Sequence, residues 1–530
     1  MSTLRPPTGA SASGQGSRLD LLHRPERRAK IWLVEASGRS WTFGQVAERV
    51  QRTARYIESR VRPGGRVAIW GENGVEWIVT DLATAAAGCV SVPILPKIHV
   101  EDATHILEHC DVELAFVQSE MQYDTVISTG RPTFIWGEDR LEDSSSGSIR
   151  RSLPAEVETV VFTSGSTGRP KGARHPASHL VRAARDGALR LGVNEQDRMF
   201  SHMSFAHVFE RWLVLGGSLA AGCPLHLARG DLRESLLRVR PTRFQAVPRI
   251  LQRLWPEVDR SGPAAAGLDR IRTVVVGGAP TPPSLFSGLR DRGIELLQGY
   301  GMTENFAHSH LSHPDSSVPG TVGPPLPGVE CRIVEGEIRV RSPCNFLGYH
   351  DDPTSTAQAF DDAGFLRTGD AGRIDPAGHL TVEGRLRDPF KTLKGKWVDP
   401  IRLEHAIRTW PEVASACVIG EGRSQPTAVV VISPEAPRAG LWKILDAHRR
   451  QLNGRLLPHE RIQWVAARFE PWSIEEGTLT PTGKIRRGVV HRVLASRLPS
   501  DGAGAIALGP FPPASAPHAA AELRPKVTPA

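Results

Sequence analysis

Residues 157–172 read VETVVFTSGSTGRPKG, an apolar, strand-like run that passes directly into a loop rich in glycine and hydroxyl side chains. The glycines let the backbone approach a ligand closely, and the serines and threonines add hydrogen-bonding groups. Lys171 adds one mobile positive charge, so the loop suits a polyphosphate. The P-loop pattern GxxxxGK(S/T) is excluded, because Gly172 follows the lysine and the glycine spacing differs. A surface turn is the alternative, and the buried strand that precedes the loop argues against it.

Two other apolar runs end in loops of similar character. Residues 273–276 (TVVV) pass into Gly-Gly-Ala-Pro at 277–280. Residues 294–297 (IELL) pass into QGYGMTE at 298–304. Because ligands collect at the carboxyl ends of strands in open α/β sheets, we expect the three loops to form one site.

The rest of the chain alternates between helix-like and strand-like segments. Thr42 and Gln45 fit a capping box at the start of a helix, and apolar residues then recur at helical spacing. Residues 66–70 (RVAIW) indicate the next buried strand. This alternation predicts an α/β architecture in which helices cover mostly parallel sheets.

Composition places the chain among folded proteins of several domains. It has 530 residues, of which 40% are hydrophobic and 23% charged, enough for a sizeable core. The formal net charge is +8, and residues 1–30 contribute +4 of it. No basic stripe interleaved with aromatic residues is present, so nucleic acid is not an expected partner. Weak contact of the basic leader with an anionic membrane surface stays open, as does the oligomeric state.

Cysteine usage and the termini indicate a cytoplasmic protein. The six cysteines are dispersed without a CxxC pair, as expected for free thiols in a reducing compartment. The N-terminus lacks the apolar core of a signal peptide. The longest uncharged run, residues 212–228, is too short and too broken by glycine and proline for a membrane span. Residues 1–17 and 499–530 are rich in Ala, Pro, Gly and Ser, which predicts disordered tails.

Five motifs in sequence order resemble those of the adenylate-forming (AMP-binding) superfamily of acyl-CoA synthetases, aryl-CoA ligases, peptide-synthetase adenylation domains and luciferases. They are the loop at 163–172, QGYGMTE at 298–304, RTGD at 367–370, GRLRD at 384–388 and LTPTGK at 479–484. The order and spacing agree over residues 20–498. The resemblance implies that ATP activates a carboxylate. It also implies a large N-terminal domain of stacked mixed sheets with helices at 18–384, and a small, mobile α+β C-terminal domain at 385–498.

The resemblance implies an ATP site built from these motifs. Asp370 can accept two hydrogen bonds from the ribose diol, and Arg385 can reinforce the ribose or phosphate contact. Glu304 and the Thr163 hydroxyl suit a Mg²⁺ ion on the phosphates. Tyr300 offers a flat face for adenine, although a tyrosine after a strand is often part of the core. The nucleotide-binding residues implied in this way are Thr163, Ser164, Gly165, Ser166, Thr167, Gly168, Lys171, Gly277, Gly278, Ala279, Pro280, Gln298, Gly299, Tyr300, Gly301, Met302, Thr303, Asp370 and Arg385.

Two C-terminal motifs carry further implied roles. Lys484, in a Thr-Pro-Thr-Gly turn, would stabilise charge while the substrate carboxylate attacks the α-phosphate. Arg387 marks the hinge between the domains, where Asp or Lys is commoner among relatives. The loop on the coenzyme A side comprises Lys391, Lys394, Gly395 and Lys396. Lys394 stands where many relatives have glycine, which would alter the pantetheine tunnel.

Residues 203–213 (MSFAHVFERWL) resemble the long-chain fatty acyl-CoA synthetases, in which a histidine followed by a Glu-Arg pair marks this position. His207 would then lie near the acyl and thioester end of the site as a catalytic candidate. A packing histidine is an equally weighted alternative. Glu210 and Arg211 are expected to form a structural ion pair with each other.

Together these motifs predict an ATP-dependent, AMP-forming acyl-CoA synthetase that uses Mg²⁺ and transfers a medium- to long-chain fatty acid to coenzyme A. The alternatives are an aryl-CoA ligase, an acyl-AMP ligase that loads a carrier protein, and a non-catalytic binding protein. The intact 163–171 loop, together with Glu304, Asp370 and Lys484, argues against the last of these.

Two groups of histidines lack a complete ligand set at a recognised metal-binding spacing. They are His308, His310 and His313 after the adenine motif, and His105 and His109 beside Cys110. Both groups are expected to be structural or solvated.

Overall fold

The computed structural model describes residues 17–137, 156–163, 170–279, 281, 283–386, 390–393, 395–480, 483, 485–494, 497–499 and 502–508. Its helices are α1 (Arg18–Leu22), α2 (Phe43–Glu58), α3 (Val75–Ala86), α4 (Val100–His109), α5 (Glu120–Ile127), α6 (Ala177–Arg190), α7 (Gly217–Ala221), α8 (Leu232–Val239), α9 (Pro248–Ser261), α10 (Pro283–Arg290), α11 (Pro353–Ala359), α12 (Pro400–Ile407), α13 (Leu441–Asn453) and α14 (Arg487–Leu494). Within the described ranges, none of these helices combines the length and the apolar character needed to cross a membrane.

The described residues also form strands that build the sheets of the molecule. They are β1 (Ile31–Val34), β2 (Ser40–Thr42), β3 (Arg66–Trp70), β4 (Val90–Ile94), β5 (Leu114–Val117), β6 (Thr133–Ile135), β7 (Thr159–Thr163), β8 (Lys171–His175), β9 (Met199–Ser201), β10 (Leu225–Leu227), β11 (Arg243–Ala246), β12 (Thr273–Val276), β13 (Leu296–Tyr300), β14 (His310–Leu311), β15 (Glu330–Val334), β16 (Glu337–Arg341), β17 (Leu366–Ile374), β18 (Leu380–Arg385), β19 (Phe390–Lys391), β20 (Trp397–Val398), β21 (Val413–Ile419), β22 (Thr427–Ile432), β23 (Trp464–Arg468) and β24 (Gly504–Ala507).

The first large sheet has the order β6-β5-β3-β4-β7-β8 and is parallel except for β8, which pairs antiparallel with β7. Alternate residues of β3 belong to different apolar cores: Val67 and Ile69 face one, and Ala68 and Trp70 face the other. A sheet covered on both faces needs apolar residues at consecutive positions, which is why RVAIW reads as a continuous run.

The second large sheet has the order β14-β13-β12-β11-β9-β10-β1-β2, with antiparallel strands at its two edges. Its central strand β12 is also covered on both faces, with Val275 in one core and Val274 and Val276 in another. A third, antiparallel sheet of β15-β16-β17-β18 follows. The α/β class with mostly parallel main sheets is thus confirmed.

Local sequence signals located several elements accurately. Helix α2 begins after Thr42, whose side chain and that of Gln45 form the expected capping box. Strands β3 and β12 coincide with the predicted runs at 66–70 and 273–276. Strand β13 begins two residues later than expected and continues to Tyr300, because Gly299 and Tyr300 pair with the short edge strand β14.

The C-terminal part forms its own sheet in the order β21-β22-β23-β24, preceded by the β19-β20 hairpin. Strand β24 lies inside the 499–530 segment that was expected to be a disordered tail, so that expectation is wrong for residues 504–507. The strand pairs in parallel with β23, with Ile506 opposite Ala466. Ile506 packs against an apolar core, and the pairing satisfies the main-chain groups of a strand that would otherwise be an edge.

Candidate active site

A tyrosine, a carboxylate and a guanidinium meet where β13 ends beside the third sheet. The Tyr300 hydroxyl donates to Asp370 Oδ2 at 2.7 Å. Arg385 lies opposite Asp370 in the β17-β18 ladder, with its Nε 3.0 Å from Asp370 Oδ1. Burial and the Asp370 carboxylate raise the pKa of Tyr300 well above its usual value, so the phenol remains a donor. The three residues assigned to ribose and adenine are therefore in direct contact.

Glu304 lies just beyond Tyr300, on the turn Thr303–Asn305, with its side chain buried. The Tyr349 hydroxyl donates to Glu304 Oε1 at 2.7 Å. The turn is tight, because a Cβ at Gly301 would lie 2.4 Å from the Ala307 carbonyl oxygen. Only glycine fits that approach, which explains its place in the QGYGMTE motif.

The loop of the 163–172 motif connects β7 to β8, and Thr163 lies opposite Lys171 in this antiparallel pair. Strand β7 packs against the turn that carries Glu304, so the base of this loop adjoins the candidate metal ligand. The Lys171 ammonium lies 2.5 Å from Ser355 Oγ and 3.6 Å from Asp352 Oδ2. It also lies 5.3 Å from the centre of the Tyr349 ring.

The loop after β12 forms a second wall. A Cβ at Gly277 would lie 3.3 Å from the Gly299 carbonyl oxygen, so the loops that follow β12 and β13 approach each other closely. The Phe209 ring also lies beside Gly277, because a Cβ at Gly277 would be 3.5 Å from this ring. All three strand-end loops thus contribute described residues to one region, as the pattern of strands and loops predicts.

The segment that carries His207 adjoins this corner. His207 is half-buried, and its Nδ1 accepts from the backbone N–H of Phe209 at 3.3 Å. Asn73 braces the segment, accepting from Phe205 N at 2.9 Å and donating to Ser201 Oγ at 2.8 Å.

The expected ion pair between Glu210 and Arg211 is wrong. Glu210 Oε1 instead accepts from the Ser201 hydroxyl at 2.7 Å and from the backbone N–H groups of His202 and Met203 at 3.0 and 3.3 Å. Burial outweighs these hydrogen bonds and raises the pKa of Glu210 to about 8. Adjacent residues on a helical turn point in different directions, so neighbours in sequence need not pair.

Arg211 belongs to a separate buried network. Its guanidinium contacts Asp81 and donates to Thr159 Oγ1 at 2.8 Å. Asp81 also accepts from Arg18 Nη1 at 2.5 Å, and Arg18 continues to Glu158. This network joins α1, α3 and the first sheet to the turn that also carries Glu210.

The histidines have structural partners, as expected. His308 Nδ1 lies 3.0 Å from Ser342 Oγ, and its Nε2 lies 2.9 Å from Asp186 Oδ2. His109 donates to the His350 carbonyl oxygen at 3.0 Å, and its ring stacks on His105. Across the part of the chain that the structure describes, no group of three or more His, Cys, Asp or Glu side chains is arranged to hold a metal ion.

Several sequence-predicted residues fall outside the described ranges. They are Ser164, Gly165, Ser166, Thr167, Gly168, Pro280, Arg387, Lys394 and Lys484. Of the coenzyme A loop, Lys391 lies on the β19-β20 hairpin with its ammonium 4.8 Å from the centre of the Trp397 ring.

One contributor was missed by sequence reasoning. Tyr349 lies 45 residues after Glu304, outside every motif singled out above. A weak signal for it exists: the chain has four tyrosines, and two of them, Tyr300 and Tyr349, directly follow a glycine.

An α/β fold with glycine-rich loops at the ends of its strands is typical of a nucleotide-binding protein. The chain belongs to the AMP-binding enzyme family, whose model matches residues 21–350; the model of the AMP-binding enzyme C-terminal domain matches residues 388–492. Through this family it is a member of the adenylate-forming superfamily and resembles the long-chain acyl-CoA synthetases.

Similar proteins include both fatty and aromatic acid ligases. The long-chain-fatty-acid–CoA ligase FadD15 of Mycobacterium bovis is 27% identical over 88% of this chain and 92% of its own length. The feruloyl-CoA synthase of an Amycolatopsis species is 28% identical over 88% of this chain and 98% of its own length. Among solved structures, the O-succinylbenzoate coenzyme A synthetase of Bacillus subtilis, in complex with ATP and magnesium ion, shares the fold with a TM-score of 0.75. It is 23% identical over 89% of this chain and 98% of its own.

Proposed function

We propose that this protein is an ATP-dependent, AMP-forming acyl-CoA synthetase that activates a medium- to long-chain fatty acid. The observation that carries the proposal is the placement of two carboxylates by β13: Asp370 accepts from Tyr300 at the end of that strand, and Glu304 lies on the turn that follows it. Asp370, held between Tyr300 and Arg385, suits a ribose diol. Glu304, held by Tyr349, suits the cation on the phosphates.

In the first half-reaction an oxygen of the fatty carboxylate attacks the α-phosphorus of ATP. The bond to the bridging oxygen of the β-phosphate breaks, and acyl-AMP and pyrophosphate form. Lys171, on the first loop, and Lys484 supply positive charge to the phosphates while negative charge develops on them. The chain does little covalent chemistry of its own in this step, so its contribution is positioning and electrostatics.

Mg²⁺ binds in proteins through one or two carboxylates together with substrate phosphates. A buried glutamate beside the base of the phosphate loop fits that requirement, and the Thr163 hydroxyl at the end of β7 is a second oxygen. Glu304 and Thr163 would therefore hold the ion, which neutralises charge on the polyphosphate.

In the second half-reaction the thiolate of coenzyme A attacks the acyl carbonyl, and AMP leaves. The C-terminal domain turns about Arg387, so that the loop of Lys391, Lys394, Gly395 and Lys396 replaces Lys484 at the site. His207 lies on the acyl side of this chemistry. One cleft must present different groups to two transition states, and a rotating domain does that. The domains are residues 18–384 and a C-terminal unit from 385, which β24 extends to residue 507.

An aryl-CoA ligase is the second candidate, because the feruloyl-CoA synthase is covered over 98% of its length at 28% identity. The fatty acid assignment is supported by the 203–213 segment and by the similarity to FadD15 over 88% of this chain. The partners we propose are small molecules, in the cytoplasm; an acyl-AMP ligase would instead need an acyl carrier protein.

A panel of acids from C4 to C18 together with cinnamates, scored by coenzyme A-dependent release of AMP, tests the proposal. Fastest turnover with a C8–C18 acid is the expected result. Preference for ferulate or cinnamate would select the aryl ligase, and AMP release only with a carrier protein would select the acyl-AMP ligase. Tight ATP binding without pyrophosphate exchange for any acid would contradict all three.

Lys484→Ala separates the half-reactions. Adenylation should be lost, because the charge that stabilises the attacked phosphate is gone. Preformed acyl-AMP should still be consumed by coenzyme A at the wild-type rate, since the lysine has left the site by then. Equal loss of both half-reactions would contradict this assignment.

A further inference from the structure

Both tyrosines that follow a glycine donate to a functional carboxylate. Tyr300 donates to Asp370, and Tyr349 donates to Glu304, each at 2.7 Å. The remaining two tyrosines of the chain, Tyr56 on α2 and Tyr123 on α5, belong to packed cores of the first sheet.

The Tyr349 ring is fixed from several directions. Its backbone N–H donates to Thr356 Oγ1 at 2.9 Å, and its backbone bridges to Ala173 on β8. The Phe346 ring packs edge-on at 4.8 Å between ring centres. Gly348, at φ +120°, allows this approach, because a Cβ there would lie 2.6 Å from Thr356 Cγ2.

The same ring adjoins the cation of the phosphate loop. The Lys171 ammonium lies 5.3 Å from the ring centre and also contacts Ser355 and Asp352. Tyr349 therefore has the basic group of the first loop on its face and the buried carboxylate of Glu304 at its hydroxyl.

The hydroxyl donates to Glu304 Oε1 at 2.7 Å, and the contacts of the Tyr349 ring fix the direction of this hydrogen bond. Because the Tyr349 hydroxyl is held in place, its hydrogen bond to Oε1 fixes the rotation of the Glu304 carboxylate. The other carboxylate oxygen, Oε2, can then bind another ligand. Groups that orient a metal ligand in this way commonly change metal affinity or activity about 10–100-fold when removed.

We propose that Tyr349 is a positioning residue that orients Glu304 toward the cation on the ATP phosphates while its ring holds Lys171 beside the same phosphates. The inference rests on the proposed function, because the cation concerned is the Mg²⁺ that accompanies ATP.

Tyr349→Phe tests the hydroxyl alone, because it keeps the ring contacts with Phe346 and Lys171. ATP binding is measured by calorimetry on the full chain, once with Mg²⁺ and once with EDTA. In the wild type Mg²⁺ should tighten ATP binding. In the variant the ratio of ATP affinity with Mg²⁺ to ATP affinity with EDTA, the Mg²⁺ gain, should be about tenfold smaller. Affinity in EDTA should stay within about twofold of wild type, which also shows that the variant is folded. Tyr123→Phe, a tyrosine far from the site, is the matched control and should behave as wild type.

A double-mutant cycle separates positioning from general loosening of the fold. Because Tyr349 acts through the carboxylate, adding Tyr349→Phe to Glu304→Gln should cause no further loss of the Mg²⁺ gain. A full magnesium gain in Tyr349→Phe, or the same loss in the Glu304→Gln background, would overturn the proposal. Failure of the proposed function looks different: the wild type itself would bind no ATP in either condition.

Discussion

Asp81 and Glu210 are both buried carboxylates at the same turn, Glu210–Gly216, which Asp81 contacts through Arg211, yet their pKa values are shifted in opposite directions. Asp81 contacts Arg18 and Arg211, whereas Glu210 has only hydrogen bonds from Ser201 and two backbone N–H groups. Burial favours the neutral form of both. The two guanidinium groups nevertheless hold the pKa of Asp81 below its usual value, while the pKa of Glu210 rises to about 8.

Because both carboxylates are buried, the opposite pKa shifts follow from their partners and not from the depth of burial. The two carboxylates of the candidate active site also differ in their partners. Asp370 faces Arg385, and Glu304 faces a tyrosine hydroxyl with no Lys or Arg pairing it among the described residues. Glu304, which has no such basic partner, is the carboxylate that we propose as the ligand of the Mg²⁺ that accompanies ATP.

Arg211→Met should have the largest effect on stability. It removes one of two cations from Asp81 and leaves charge uncompensated in the interior, which costs about 3–5 kcal/mol. Chemical denaturation measures the loss of unfolding free energy. Arg28→Met, which breaks the exposed pair with Glu48, is the control and should change stability little. Equal unfolding free energies for the two variants would contradict a stabilising role of the buried Arg211–Asp81 pair.

Glu210→Gln should change how stability depends on pH. The folded protein keeps a proton on Glu210 up to a pKa of about 8, whereas the unfolded chain releases it near the ordinary 4.5. Wild-type stability therefore falls between these pH values on account of this group, and the glutamine variant lacks that fall. The stability of the variant relative to wild type should rise from pH 5 to pH 8.5 by about 4 kcal/mol, because each pKa unit corresponds to about 1.4 kcal/mol. Parallel pH profiles would show that Glu210 is charged in the folded protein.

Asp370→Asn and Glu304→Gln should weaken ATP binding in different ways. The asparagine variant loses one charged acceptor for the ribose, so affinity should fall about tenfold both with Mg²⁺ and with EDTA. The glutamine variant should lose affinity only when Mg²⁺ is present. Calorimetric titration of ATP under the two conditions measures both, and identical metal dependence in the two variants would contradict the division of roles.

The sequence revealed the parts of the site that depend on local order. Strand β12 was located correctly because three consecutive valines precede two glycines, and Asp370 and Arg385 stand in recognisable motifs. What it could not reveal were contacts between distant residues with no local pattern. The Tyr349–Glu304 contact spans 45 residues, and the separation of Arg211 from Glu210 depends on where Asp81 and Ser201 lie in the packed interior. Strand β24 was missed because its Ala and Gly content is typical of a tail.

Strand β24 also has a practical consequence for how this protein can be shortened or tagged. Truncation after residue 498, at the end of the expected domain, would strip the neighbour from β23 and expose its backbone N–H and C=O groups. Exposed strand edges of this kind recruit other chains and promote aggregation. A shortened chain or a C-terminal fusion should therefore retain residues through 508, whose backbone N–H still bonds to the Ala467 carbonyl at 2.7 Å.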